Sequence, residues 1–216
     1  MGTRHWLNSY GNIPADIDAD RYPSMFELLN AALKRHASRP AFKAFGQTLT
    51  YADVDRLAQS FAAYLQNKLG VERGDRVAVM MPNLLAFPVT LLGIMRAGAI
   101  QVNVNPLYTA RELEHQLNDA GVETIVIFNG STPTLAEVRA NTRLKTVITV
   151  GVGDASGATL PSPPVDARLG VGEEAEVAAR ERHHLRVDVV EAEFVALSAV
   201  GRERAQKYRA EGRAEG

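Results

Sequence analysis

Apolar positions along the chain recur with two different rhythms. Met25, Leu28, Leu29, Ala32 and Leu33 fall three and four residues apart, the spacing of one helix face. Ser24 and Glu27 ahead of them read as an S-x-x-E capping box, with the helix closing near Ser38, Arg39 and Pro40. Two short strand-like runs follow, AFKAF and TLTY, and Gly46 with Gln47 between them suits a two-residue hairpin turn. Thr50 and Asp53 then cap a second helix. Its buried stripe should be Val54, Leu57, Ala58, Phe61, Ala62 and Leu65, with Gly70 as the stop.

From Arg76 the rhythm changes. RVAVMM is a continuous apolar run between Gly74–Asp75 and Pro82–Asn83, as expected of a strand covered on both faces. Strands are predicted at 76–81, 100–104, 124–128 and 146–150. Helices are predicted between them: 84–97 ended by Gly98, one from a Thr109/Glu112 capping box to Gly121, and a short one over 133–140. Strand and helix alternating at this interval predict an α/β fold: a doubly wound, mostly parallel sheet with helices on both faces. An N-terminal helix, a small hairpin and a charged C-terminal tail complete the expected architecture. The divisions are an arm over 1–23, the α/β domain over 24–150, a Gly/Ser/Pro-rich linker over 151–169 and the tail over 170–216.

Composition narrows the function classes. A net charge of −1 over 216 residues gives no electrostatic case for nucleic acid or an anionic membrane. The absence of cysteine removes disulfides, cysteine-ligated zinc and a thiol nucleophile. The N-terminal MGTRHWLNSYGN has no apolar core for a signal peptide. The longest apolar run, 84–95, contains Pro88 and is about half of a membrane span. A soluble, cytoplasmic chain is expected. Its tail is rich in Ala, Glu, Arg and Val and lacks Pro, Thr, Ile, Asn and Met, which predicts a charged, solvated helix that packs poorly on the rest.

Chemistry in an open α/β sheet belongs in the loops beyond the carboxyl ends of the strands: 82–83, 105–109, 129–132 and 151–157. None carries the dinucleotide glycine fingerprint after the first strand or a G-x-x-x-x-G-K-[ST] loop, which disfavours a nucleotide-binding oxidoreductase. Gly151, Gly153 and Gly157 lead into prolines rather than a helix N-terminus, so they read as flexible linker. His115 should lie on an exposed face paired with Arg111 or Asp119. His36 closes the first helix, His5 sits in the N-terminal arm, and His183 and His184 lack carboxylates at metal-ligand spacing. Ser131 lacks the G-x-S-x-G elbow. No catalytic, cofactor-binding or metal residue is predicted in this chain.

Two stretches carry a family resemblance. LTYADVDRLAQSFAAYLQ, 49–66, is similar to the first core motif of adenylate-forming enzymes. GDRVAVMMPNLLAFPVTLLGIMRAGAIQVNVNPLYTARELEHQLNDAG, 74–121, resembles the next block of the acyl-CoA synthetases, and NPLYT.RE.EHQ within it resembles the bacterial long-chain fatty-acid–CoA ligases. The resemblance covers about 12–150 and implies the N-terminal part of the adenylate-forming large domain. It further implies an ATP-dependent ligase that forms an acyl-adenylate from a fatty acid and Mg-ATP, then transfers the acyl group to CoA. Peripheral membrane association is compatible with it. The family's phosphate loop and catalytic lysine are absent from these residues, so the chain is expected to be a truncated member, inactive alone. Tail composition of this kind is also what a GC-rich gene yields out of frame, which predicts a frameshift or truncation shortly after 166–169, the other account being a genuine helical extension. The alternative expectation is a non-catalytic α/β binding or interaction module derived from such a ligase.

Overall fold

The four predicted strands pair as a single sheet in the computed structural model, which describes residues 4–156, 158 and 160–169. A hairpin comes first, β1 (Pro40–Ala44) antiparallel to β2 (Gln47–Thr50). The sheet consists of β3 (Arg76–Met80), β4 (Ile100–Asn103), β5 (Thr124–Phe128) and β6 (Thr146–Val150). Its order is β4-β3-β5-β6, with every neighbouring pair parallel. Among the described residues five α-helices accompany the strands: α1 (Met25–Arg35), α2 (Tyr51–Asn67), α3 (Ala86–Ala97), α4 (Ala110–Asp119) and α5 (Thr132–Val138).

Burial divides into two layers, one on each sheet face, because alternate strand residues point to opposite sides. Val77, Val79, Val126 and Ile148 join the α2 and α3 side chains in one core. Ala78, Met80, Ile125, Ile127 and Val147 join Leu113, Leu117, Leu135 and Val138 of α4 and α5 in the other. The doubly wound expectation therefore holds. The predicted stripe of α2 is buried throughout.

α3 is buried nearly all round, between sheet and α2. Gly93 makes that approach possible: a Cβ there would stand 2.6 Å from Phe61 Cδ1 and 3.2 Å from the Ala58 carbonyl oxygen. Arg96 of α3 forms an ion pair with Asp55 of α2 and lies 5.2 Å over the Phe26 ring of α1. Those contacts tie the three helices together.

Several local expectations are corrected. The hairpin turn is Phe45–Gly46 rather than Gly46–Gln47, since Ala44 pairs with Gln47. Both turn residues have positive φ, 49° and 74°, as a type I′ turn needs. α1 packs through Phe26, Leu29 and Leu33, whereas Met25 and Leu28 are exposed. Ser24 Oγ accepts from the Glu27 N–H at 3.1 Å, the forward half of the expected box. β4 is an edge strand among the described residues, where Ile100 is 48% exposed and Val102, expected to be mostly buried with Val104, is only half-buried.

Beyond β6 the chain returns to the domain. Ser162 Oγ accepts from the Val152 N–H at 2.7 Å, and Thr132 Oγ1 accepts from the Asp166 N–H at 2.9 Å. Leu169 is fully buried in the α4/α5 core, and its carbonyl takes a 2.8 Å hydrogen bond from Arg139. The flexibility read from composition is not what these contacts describe. The tail, with His183, His184 and the expected helix and reading-frame change, lies outside the described residues.

Candidate functional site

Strand order locates the site. From β3 the chain moves outward to β4, then crosses back over β3 to β5. β3 and β5 are thus neighbours whose onward connections run in opposite directions, the switch point where an open α/β sheet leaves a crevice. The rim there is formed by Met81–Leu85 after β3 and by Asn129–Thr132 after β5.

The β5 side of this rim is polar and enclosed. Asn129, Ser131 and Thr132 are all buried. A 3-10 turn, Asn129–Ser131, leads into α5, with Pro133 in the first helical turn. The Thr132 hydroxyl donates to the Asn129 carbonyl at 2.6 Å, locking the turn. A Cβ at Gly130 would meet Phe128 Cε1 at 2.6 Å, so the ring packs directly on the glycine. Asn129 Oδ1 is buried with no hydrogen-bond donor in reach. Such an atom carries most of its desolvation penalty uncompensated. Sequence reasoning missed Asn129, because only the burial of the turn distinguishes it from an ordinary loop asparagine.

The glycine-containing rim after β6 is closed on itself. The Gly151 N–H donates to Asp154 Oδ2 at 2.7 Å and the Val152 N–H to Ser162. The Ala158 carbonyl lies 2.1 Å from where a Gly153 Cβ would sit. The Gly151 and Val152 amides, which a phosphate would need, are thereby taken by side chains. Among the described residues no group of three His, Cys, Asp or Glu could hold a metal ion.

The remaining candidates are scattered. His115 is exposed on α4, and none of the ion pairs among the described residues includes it. His36 follows α1 with its ring 5.8 Å from Tyr51. His5 begins a 3-10 turn at the surface. The perturbed carboxylates are structural. The Thr50 hydroxyl and main-chain N–H hold the Asp53 carboxyl below its usual range. Thr109 acts likewise on Glu112, and Arg168 on Asp166. No described helix is long and apolar enough to cross a membrane.

Comparison with known proteins supplies what this geometry does not. Residues 29–186 match the AMP-binding enzyme family, so the match extends past the place near Val150 where the resemblance was expected to end. The long-chain-fatty-acid–CoA ligase of Salmonella typhimurium is 51% identical over 150 residues, 69% of this chain and 27% of the relative. The Bacillus subtilis ligase of the same name is 33% identical over 150 residues, 69% of this chain and 26% of the relative. The chain thus spans about a quarter of these relatives. A solved long-chain-fatty-acid–CoA ligase from Archaeoglobus fulgidus superposes with a TM-score of 0.55 at 27% identity, covering 60% of this chain and 28% of that one. An anthranilate–CoA ligase complexed with anthranoyl-AMP shares the fold: TM-score 0.58 at 21% identity, covering 67% of this chain and 27% of that one.

Proposed function

The chain belongs to the AMP-binding enzyme family, and from that membership we propose that it forms the first parallel unit of a long-chain fatty-acid–CoA ligase large domain. In such a ligase the fatty-acid carboxylate attacks the α-phosphorus of ATP and releases pyrophosphate. The CoA thiol then attacks the acyl-adenylate carbonyl, giving the thioester and AMP. The observation that carries this reading is the half-identity to the Salmonella ligase, sustained over 150 residues. A chimera tests it: this chain's matching residues replace the aligned 150 of that ligase. Long-chain acyl-CoA formation by the chimera is expected, and a folded but inactive chimera would count against it.

By themselves these 216 residues are proposed to be non-catalytic and cytoplasmic. The closed rim after β6 supports the first point, since its amides are committed to Asp154 and Ser162. Adenylation needs positioned cationic groups and amide donors on the phosphates. Pyrophosphate exchange with palmitate and millimolar Mg-ATP should stay at the no-protein control, and exchange above it would overturn the inactivity. The same closed rim supports a second reading, a non-catalytic interaction module derived from such a ligase. Stoichiometric capture of a full-length ligase would favour that reading.

A further inference from the structure

We propose that two copies of this chain pair through β4, antiparallel across a two-fold axis at Gln101, joining their sheets into one. This inference does not rest on the ligase reading. It starts from the main-chain groups of the edge. Ile100 and Val104 donate inward to Asp75 and Val79, and parallel alternation turns the intervening Gln101 and Asn103 amides outward. Among the described residues no strand pairs with that side of β4.

Two outward groups are already satisfied. The Ala99 N–H donates to the Ile94 carbonyl at 3.1 Å, and the Asn103 carbonyl accepts from Gln116 Nε2 at 2.9 Å. In an antiparallel pairing centred on Gln101, these two groups would face each other across the axis. The register therefore sets the bonded groups opposite one another and uses those that are free. Each Gln101 N–H donates to the other copy's Gln101 carbonyl, and each Asn103 N–H to the other copy's Ala99 carbonyl.

Side chains agree with that register. Ile100, 48% exposed, would stand opposite the half-buried Val102 of the second copy, covering apolar surface on both. The two Gln101 side chains would meet on the other face. Gln101 Oε1 is buried without a donor, and its own Nε2 is bound to Asn103 Oδ1 at 2.7 Å. Nothing on the strand opposes pairing: residues 99–104 carry no charge and no proline, the usual guards of a natural sheet edge.

The test is sedimentation of the full chain over a concentration series. The mass should rise from that of one copy to a plateau at twice that value. Gln101→Pro removes only an outward N–H and therefore spares the β3 ladder, while Gln101→Lys sets two cations on the axis. Both should remain at the mass of one copy with unchanged circular dichroism, and their melting should not vary with concentration as that of the pairing chain does. In a hydrogen-bonded antiparallel pair the two Cα atoms stand about 5.5 Å apart, within disulfide reach. In a chain with no cysteine, Gln101→Cys should oxidise to a covalent dimer. Thr146→Cys, on the opposite edge strand, should not. A single-copy mass throughout, a dimer retained by both variants, a rise without a plateau, or equal cross-linking of the two cysteine variants would each overturn the proposal.

Discussion

Thr50 and Asp53 show how much one pair of side chains settles. Thr50 Oγ1 accepts from the Asp53 N–H at 3.1 Å, and Asp53 Oδ2 accepts from the Thr50 N–H at 3.1 Å and its hydroxyl at 2.6 Å. Those bonds satisfy helix donors that would otherwise be orphaned at the start of α2. Thr50→Ala should destabilise the chain by about 1 kcal/mol in urea unfolding. The same contacts lower the Asp53 pKa, with the Thr50 hydroxyl the largest cause. The native state thus binds the Asp53 proton less readily than the unfolded chain. Its contribution is complete above the unfolded value of about 3.9 and fades as pH falls through the lower folded value. Asp53→Ala should therefore flatten the acid side of the stability profile. A profile parallel to that of the unsubstituted chain would show that the cap does not titrate. Asn129 behaves oppositely: its oxygen is buried unpaired, so Asn129→Leu should leave the melting temperature level or raise it.

At the level of elements, legibility followed how far each depended on its own residues. The α2 stripe and both threonine caps were readable because they are local, and the four strands because continuous apolar runs fit a covered sheet. β4 broke the rule in view: I-Q-V-N-V alternates, the signature of a strand with one polar face. Gln101 and Asn103 share that face, away from the core around Val104 and α4, as suits the edge of the sheet. The hairpin illustrates a different limit. Glycine marks positive φ, but the register decides which neighbour shares the turn, and here Phe45 takes φ 49° while 61% exposed. A left-handed conformation strains a non-glycine residue by about 1–2 kcal/mol. Phe45→Gly should relieve much of that, and a raised melting temperature would be the sign. α1 was readable as a helix but not as to its packed face, since Phe26 is selected by Arg96 from α3, seventy residues later.

For the whole molecule, the two cores depend on one another through the sheet they share, and the close packing of α2 on α3 is the most demanding joint. Phe61 is 3% exposed and lies against Gly93. Phe61→Ala should therefore lower stability by about 3–5 kcal/mol, as emptied aromatic sites do. The reverse change is as informative, because Gly93→Ala forces its new methyl into the Phe61 ring at 2.6 Å. Overpacking of that kind is destabilising by about 1–3 kcal/mol, against the gain of up to about 1 kcal/mol that alanine offers over glycine within a helix. Packing should win, since the obstruction includes the Ala58 backbone oxygen as well as a side chain that can rotate. The double variant Gly93→Ala/Phe61→Leu removes the ring that the methyl strikes. It should be more stable than the sum of its two single changes, by the coupling that neighbours in contact show. Strict additivity in denaturant unfolding would mean that the helices move apart rather than press together. In that case the backbone contact, and not the ring, would set the distance between α2 and α3.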